Sequence, residues 1–189
     1  MSSLLRPCAV LMAILTLITG ILYPLAITTV APTAFPHQAN GSLVWDQGRC
    51  LGSDLIGQPA DGPGWFWPRP SACGWNASSS GGSNLAPVTE PQRQAWKDRA
   101  TALRTAGVTE PLPADLVTSS GSGLDPHLSP AAALAQVPRI AQARHLDPRR
   151  VQALVDGAIV GPDLGVLGAP RVSVLALNRG LLTLPAGAL

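Results

Sequence analysis

Formal charge is missing from the first quarter of this chain: after Arg6 none appears until Asp46. Lysine is nearly absent too, with Lys97 the only one, so the basic side is carried by arginine. Beyond Arg6, twelve basic and eleven acidic residues remain (thirteen less Arg6, against eleven). That balance supplies no broad field to draw nucleic acid or anionic lipid. Cysteines number three, too few for a disulfide scaffold, and their spacing matches no metal motif. Cys8 falls in the uncharged run, while Cys50 and Cys73 fit either a disulfide or two free thiols. Aromatics are scarce, yet four of the five tryptophans crowd between Trp45 and Trp75.

Within the uncharged run, 8–31 is almost wholly apolar, broken only by threonines, Gly20 and Pro24. About 23 residues at roughly 1.5 Å rise span about 34 Å, enough to cross a bilayer core. Threonine hydroxyls bond their own helix, and Gly and Pro are tolerated in membrane helices. A cleaved signal peptide fits less well, because the run exceeds an h-region and Pro24-Leu25 stands where small cleavage-site residues belong. Gly20, beside Thr16 and Thr19, allows close helix approach and is a candidate partner contact. Arg6 and the amino terminus are the only positive charges before the helix. The positive-inside rule then makes 1–7 a short cytoplasmic segment and 32–189 extracytoplasmic.

The remainder mixes strands and helices without an even βα rhythm, which favours a small α+β domain. Asn40-Gly41 marks a turn, with strands expected at Ser42–Trp45 and around Cys50–Gln58. The segment from Gly62 to Pro87 is dense in Gly, Pro and tryptophan. It reads as an ordered loop held by buried aromatics, since a disordered linker rarely carries that much apolar area. Trp65, Phe66 and Trp67 are read as core packing ahead of ligand binding, with Arg69 stacked on a ring or bonded to carbonyls. Thr89 or Glu90 caps a helix over about 91–106, ended by Gly107. Ser129 and Pro130 open another, which Pro138 kinks or divides, and Asp147-Pro148 opens a third. RVSVLALN from Arg171 alternates like a strand and is expected to pair with one leading into Ser119.

Between them lies the loop Ser119-Ser120-Gly121-Ser122-Gly123, followed by a turn at Asp125-Pro126. It is not a phosphate-cradling P-loop, for it has no lysine. The dinucleotide fingerprint fails as well, since Leu124, Asp125 and Pro126 stand where a third glycine is needed. No Gly-x-Ser-x-Gly elbow accompanies Asp115, Asp125 and His127, so no hydrolase site is assigned. Arg139, Arg144, Arg149 and Arg150 after Ser129 would suit a DNA-binding helix pair only on the other side of the membrane.

These residues carry a resemblance. The helix ending LYPLAITTV is followed by QANGSL at Gln38–Leu43, GSDLIGQ at Gly52–Gln58, and RPSA at Arg69–Ala72. Next come SGGSNL at Ser80–Leu85, DLVTSSGSGLDPHLSP at Asp115–Pro130, VPRIAQAR at Val137–Arg144, and GAPRVSVLALN at Gly168–Asn178. In this order the chain resembles, over nearly its full length, the KdpC family, the C subunit of the Kdp potassium-transporting P-type ATPase. Ser173 departs from the family, which more often reads Asn there, and the aromatic loop before Asn76 is short.

The resemblance implies an accessory subunit of a potassium-importing complex in the cell membrane, with no catalytic residues of its own and no metal. Its implied partners are a channel-like potassium-binding subunit, a P-type ATPase catalytic subunit and a very small membrane subunit. ATP, Mg and K then act in the complex, with no cofactor bound by this chain. Candidate partner-contact or structural-loop residues are Gly20, Trp67, Arg69, Ser71, Asn84, Ser120, Gly121, Gly123 and Asp125. Assembly or a role at the outer ion entrance is expected ahead of a chaperone role that raises the pump's ATP affinity. A membrane-anchored extracytoplasmic enzyme or sensor is the remaining class.

Overall fold

Threonine and proline leave the N-terminal helix unbroken. In the computed structural model, which describes residues 2–184, α1 (Ser2–Leu17) passes through a wider π-type turn at Ile18–Leu22 into α2 (Tyr23–Ala34). The stretch Leu4–Ala34 is 31 residues of mean hydropathy 2.3, long and apolar enough to cross a membrane. Several of its threonine hydroxyls turn inward: Thr19 donates to Leu15 O at 2.7 Å, Thr28 to Pro24 O at 2.8 Å and Thr29 to Leu25 O at 2.7 Å. A polar side chain that bonds its own helix presents little unsatisfied polarity to lipid.

The chain divides into two compact units, Met1–Ser53 and Asp54–Leu189. In the first, the short α3 (Pro36–Ala39) leads into an antiparallel hairpin, β1 (Leu43–Asp46) and β2 (Arg49–Ser53). Gln47 and Gly48 form its two-residue turn, both at positive φ (45° and 79°), as a primed turn requires. A bulge between Val44 and Trp45 ends the regular register, and the second strand stops at Ser53, short of the expected Gln58.

The second unit mixes helices with a small sheet, as an α+β reading expects. Its helices are α4 (Glu90–Thr105), α5 (Ala114–Val117), α6 (Pro130–Ala135), α7 (Val137–Arg144), α8 (Pro148–Gly157) and α9 (Val174–Thr183). The strands β3 (His127–Leu128), β4 (Ile159–Val160) and β5 (Arg171–Ser173) form one antiparallel sheet in the order β3-β5-β4. Ser129 caps α6, its hydroxyl accepting from Ala132 N at 3.1 Å. Pro138, in the first turn of α7, separates that helix from α6, and Asp147 caps α8 through Arg149 N at 2.8 Å. Phe66, Leu128, Ile140, Val151, Val155, Val172, Leu177 and Leu181 form the fully buried centre. Gly180 lets α9 lie against α8, because a β-carbon there would stand 2.5 Å from Leu154 Cδ1.

Two expectations fail in this unit. The segment before Ser119 is helical (α5), and RVSVLALN is a strand only as far as Ser173. The Ser173 hydroxyl accepts from Ala176 N at 3.3 Å and starts α9. Val174, Leu177 and Leu181, spaced three and four apart, then bury one helical stripe that the local alternation concealed. The partners of β5 are β3 and β4.

Candidate functional site

The serine-glycine loop is a joint between three stretches of backbone. Gly57 N donates to Leu124 O at 2.7 Å, Ser120 N to Pro70 O at 3.2 Å and Gly81 N to Ser122 O at 2.9 Å. Two hydroxyls add to these bonds, Ser71 Oγ to Gly123 O at 2.7 Å and Ser80 Oγ to Ser122 O at 2.9 Å. Small residues are required because main chains touch. A β-carbon on Gly57 would stand 2.5 Å from Asp125 O, and one on Gly82 would stand 2.9 Å from Gly121 O. Gly123 is the most constrained: its φ is +68°, and a β-carbon would meet Cys73 Sγ at 2.5 Å and Gly81 O at 2.7 Å. Gly121 has open space around it.

Several of its polar groups are already bonded within the fold. The N–H groups of Ser120, Gly123 and Leu124 donate to Pro70 O, Ser120 O and Ser122 Oγ. Asp125 Oδ1 accepts from His127 N at 2.9 Å, which forms the expected turn, and Oδ2 pairs with Arg69 at 3.0 Å. Asp115 accepts from Ser129 N at 2.8 Å and from its hydroxyl at 3.2 Å, holding the residue that caps α6. Both carboxylates thus hold the fold. Among the described residues no group of three His, Cys, Asp or Glu is placed to hold a metal. The thiols of Cys8, Cys50 and Cys73 are free.

The tryptophan loop is anchored beside this joint, and not by the cation expected. Arg69 faces Asp125; Arg139 and Arg144 of α7 do the stacking, over Trp67 at 3.9 Å and over Trp65 at 4.2 Å. Arg139 is 3% exposed and donates to Pro63 O (2.6 Å), Trp65 O (2.8 Å) and Gln136 Oε1 (2.8 Å). Burial without a counter-ion lowers its pKa to about 10, so it is charged at neutral pH. Burial lowers that of Arg144 too; its guanidinium donates to Gly64 O at 2.6 Å. Two amides complete the frame. Asn178 brackets the backbone of fully buried Phe66, accepting its N–H at 2.8 Å and donating to its carbonyl at 3.0 Å. Gln136 does the same for Trp67, at 2.8 and 3.2 Å. Trp65, Phe66 and Trp67 are therefore packed, as core residues. Next to them, Trp67, Trp75, Pro70, Leu103 and Leu116 line a cleft of about 290 Å³.

Of the residues singled out from sequence, Arg69, Ser71, Ser120, Gly121, Gly123 and Asp125 come together at the joint, with Trp67 in the adjoining loop. Asn84 lies exposed at φ +53°, two residues beyond Gly82, and Gly20 sits in the π-type turn of the first unit. Gln136, Arg139, Arg144, Asn178, Gly57 and Gly82 were not singled out as site residues. Their signal was present in part: VPRIAQAR carries two arginines on a short helix with no acid beside them.

Residues 5–183 match the family model described as KdpC, K+-transporting ATPase, c chain. Over 186 residues the chain is 50% identical to the potassium-transporting ATPase KdpC subunit of Burkholderia cenocepacia, covering 96% of each chain. The KdpC subunit of Paraburkholderia phytofirmans is likewise 50% identical, over 96% of this chain and 97% of that one. That of Geobacter sulfurreducens is 47% identical over 184 residues, 95% and 97% of the two. The chain belongs to the KdpC family, subunits of the Kdp K+-transporting ATPase.

Proposed function

We propose that this chain is a non-catalytic, single-pass accessory subunit that supports assembly of a potassium-importing ATPase and shapes its outer ion entrance. Its N-terminus is cytoplasmic and the part after residue 32 extracytoplasmic, on the vote of Arg6 and the charge-free helix. Its partners are the channel-like potassium-binding subunit, the P-type catalytic subunit and the small membrane subunit. ATP, Mg and K act on those subunits, and this chain holds none of them.

One observation carries the reading: the serine-glycine loop is bonded into its own chain. A loop that grips a triphosphate offers free N–H groups and cations. Here three N–H groups already donate inward, Gly123 lies under Cys73 and Gly81, and Arg69 faces Asp125. The carboxylates of Asp115 and Asp125 oppose an anion further. Calorimetric titration of the full chain in mild detergent with Mg-ATP tests this. No saturable binding tighter than about millimolar, roughly −4 kcal/mol, is expected. Low-micromolar binding, lost in Ser120→Ala with Ser122→Ala, would overturn the structural role and favour a nucleotide-handling one.

A further inference from the structure

The β1–β2 hairpin of the first unit is apolar on both faces. Val44 is 7% exposed, while Leu43 and Trp45, which strand alternation turns to the other face, are 40% and 57% exposed. A hairpin with one face in water carries polar residues on that face. Cys50 pairs with Trp45 in register and is exposed beside it. Only Asp46 and Arg49 are charged, opposite in sign and paired with each other at the turn. Two strands alone are marginally stable in water, and among the described residues no third strand joins these two. The hairpin is also bonded to the end of the apolar helix. Phe35 N donates to Ala31 O at 2.8 Å, Ala39 N to Phe35 O at 2.9 Å and Ser42 N to His37 O at 2.9 Å. Ser53 Oγ donates to Gly41 O at 2.7 Å and ties in the second strand. His37 is two Cα steps of about 3.8 Å from Phe35, so β1 starts within roughly 12 Å of the helix end. The helix itself, about 46 Å long, matches a bilayer of about 40–45 Å with its polar layers, which puts Ala34 at headgroup level.

We propose that this hairpin lies on the lipid leaflet from which the helix emerges, with Leu43 and Trp45 sunk among the headgroups. The proposal rests on the single-pass membrane reading. Lipid is the one surface that the helix necessarily brings beside the hairpin. Tryptophan suits that depth, because its ring is apolar and its N–H finds acceptors in the polar layer. The pair of opposite charges gives no net attraction to anionic lipid, so burial of apolar area drives the contact. Two points of contact with the bilayer then fix the rotation of the helix about its own axis, which a helix alone leaves free.

The test uses the full chain in phosphatidylcholine vesicles. Cys8→Ala and Cys73→Ser leave Cys50 as the only thiol, and it carries a nitroxide. Collisions with oxygen, which partitions into lipid, should exceed those with a nickel chelate, which stays in water. That balance should match a nitroxide at headgroup level and should not move with added salt or anionic lipid. Leu43→Ser with Trp45→Ser should raise the chelate collisions by about threefold or more. Brominated lipid gives a second measurement without a label: it should quench part of the tryptophan emission, and Trp45→Phe should remove the quenched part. A nitroxide as open to the chelate before the double substitution as after it overturns the lipid contact while leaving the single-pass reading intact. So does the lack of any quenching that Trp45→Phe removes. Spin–spin broadening that unlabelled chain dilutes away makes a second copy the occupant and overturns it. Immersion seen only with the other ATPase subunits bound overturns it too, making one of them the occupant. Release of the chain from the vesicles by alkaline carbonate overturns both.

Discussion

The Arg139 guanidinium carbon sits over Trp67, 3.9 Å from the ring centre, while the same group donates to the carbonyls of Pro63 and Trp65. One cation thus fixes both the ring and the main chain of the tryptophan loop. Arg139→Ala should strip these carbonyls of their donor, empty the buried site of the guanidinium and destabilise the second unit by about 3 kcal/mol. Arg139→Lys keeps the charge but loses the planar fork and should fall between. Urea unfolding followed by tryptophan fluorescence measures both. A change under about 0.5 kcal/mol for the alanine variant would refute the anchoring role.

Gly121 and Gly123, two residues apart, should behave oppositely. Gly123→Ala meets positive φ and a sulfur and a carbonyl oxygen within 3 Å, so a loss of roughly 2 kcal/mol or more is expected. Gly121→Ala has free space and should stay within about 0.5 kcal/mol. Thermal unfolding of the two variants side by side is the check, and equal losses would contradict the packing.

At Asp125 the turn and the ion pair can be separated. Arg69 and Asp125 are both partly solvated, so Arg69→Gln should cost no more than about 1 kcal/mol, less at high salt. Asp125→Ala also removes the acceptor for His127 N and should cost more than Arg69→Gln. Asp125→Asn retains that acceptor and should resemble Arg69→Gln. Denaturation midpoints at low and high salt distinguish the three.

A membrane-impermeant thiol label reads the topology. Val88, 76% exposed, suits an introduced cysteine better than Gly62, whose φ is +90° and whose carbonyl accepts from Trp67 Nε1. Val88→Cys, in a background with Cys50 and Cys73 replaced by serine, should label in intact cells. Labelling only after lysis would reverse the orientation.

Features set by local forces were legible in the sequence, and those set by distant contacts were not. Caps and breaks were readable, because Ser129, Asp147 and Pro138 act within one turn of themselves. The apolar helix was readable because hydropathy needs no partner. The fate of RVSVLALN was not, since Val174, Leu177 and Leu181 turn helical only against a core that local alternation does not describe. Arg69 was expected to stack on a ring or bond carbonyls, and both roles belong to Arg139 and Arg144, far along the chain. Gly57 and Gly82 stood among many glycines, and only the three-layer contact with the loop at Gly121 to Asp125 sets them apart.

Isolation of the chain from its own membrane in mild detergent, with identification of everything that stays bound, tests the subunit assignment most directly. The expected result is retention of a potassium-binding channel-like subunit, a P-type ATPase subunit and a small membrane protein. Gly20→Leu should weaken that retention while tryptophan fluorescence of the second unit is unchanged. Recovery of the chain alone, under conditions where the pump itself stays assembled, would contradict it.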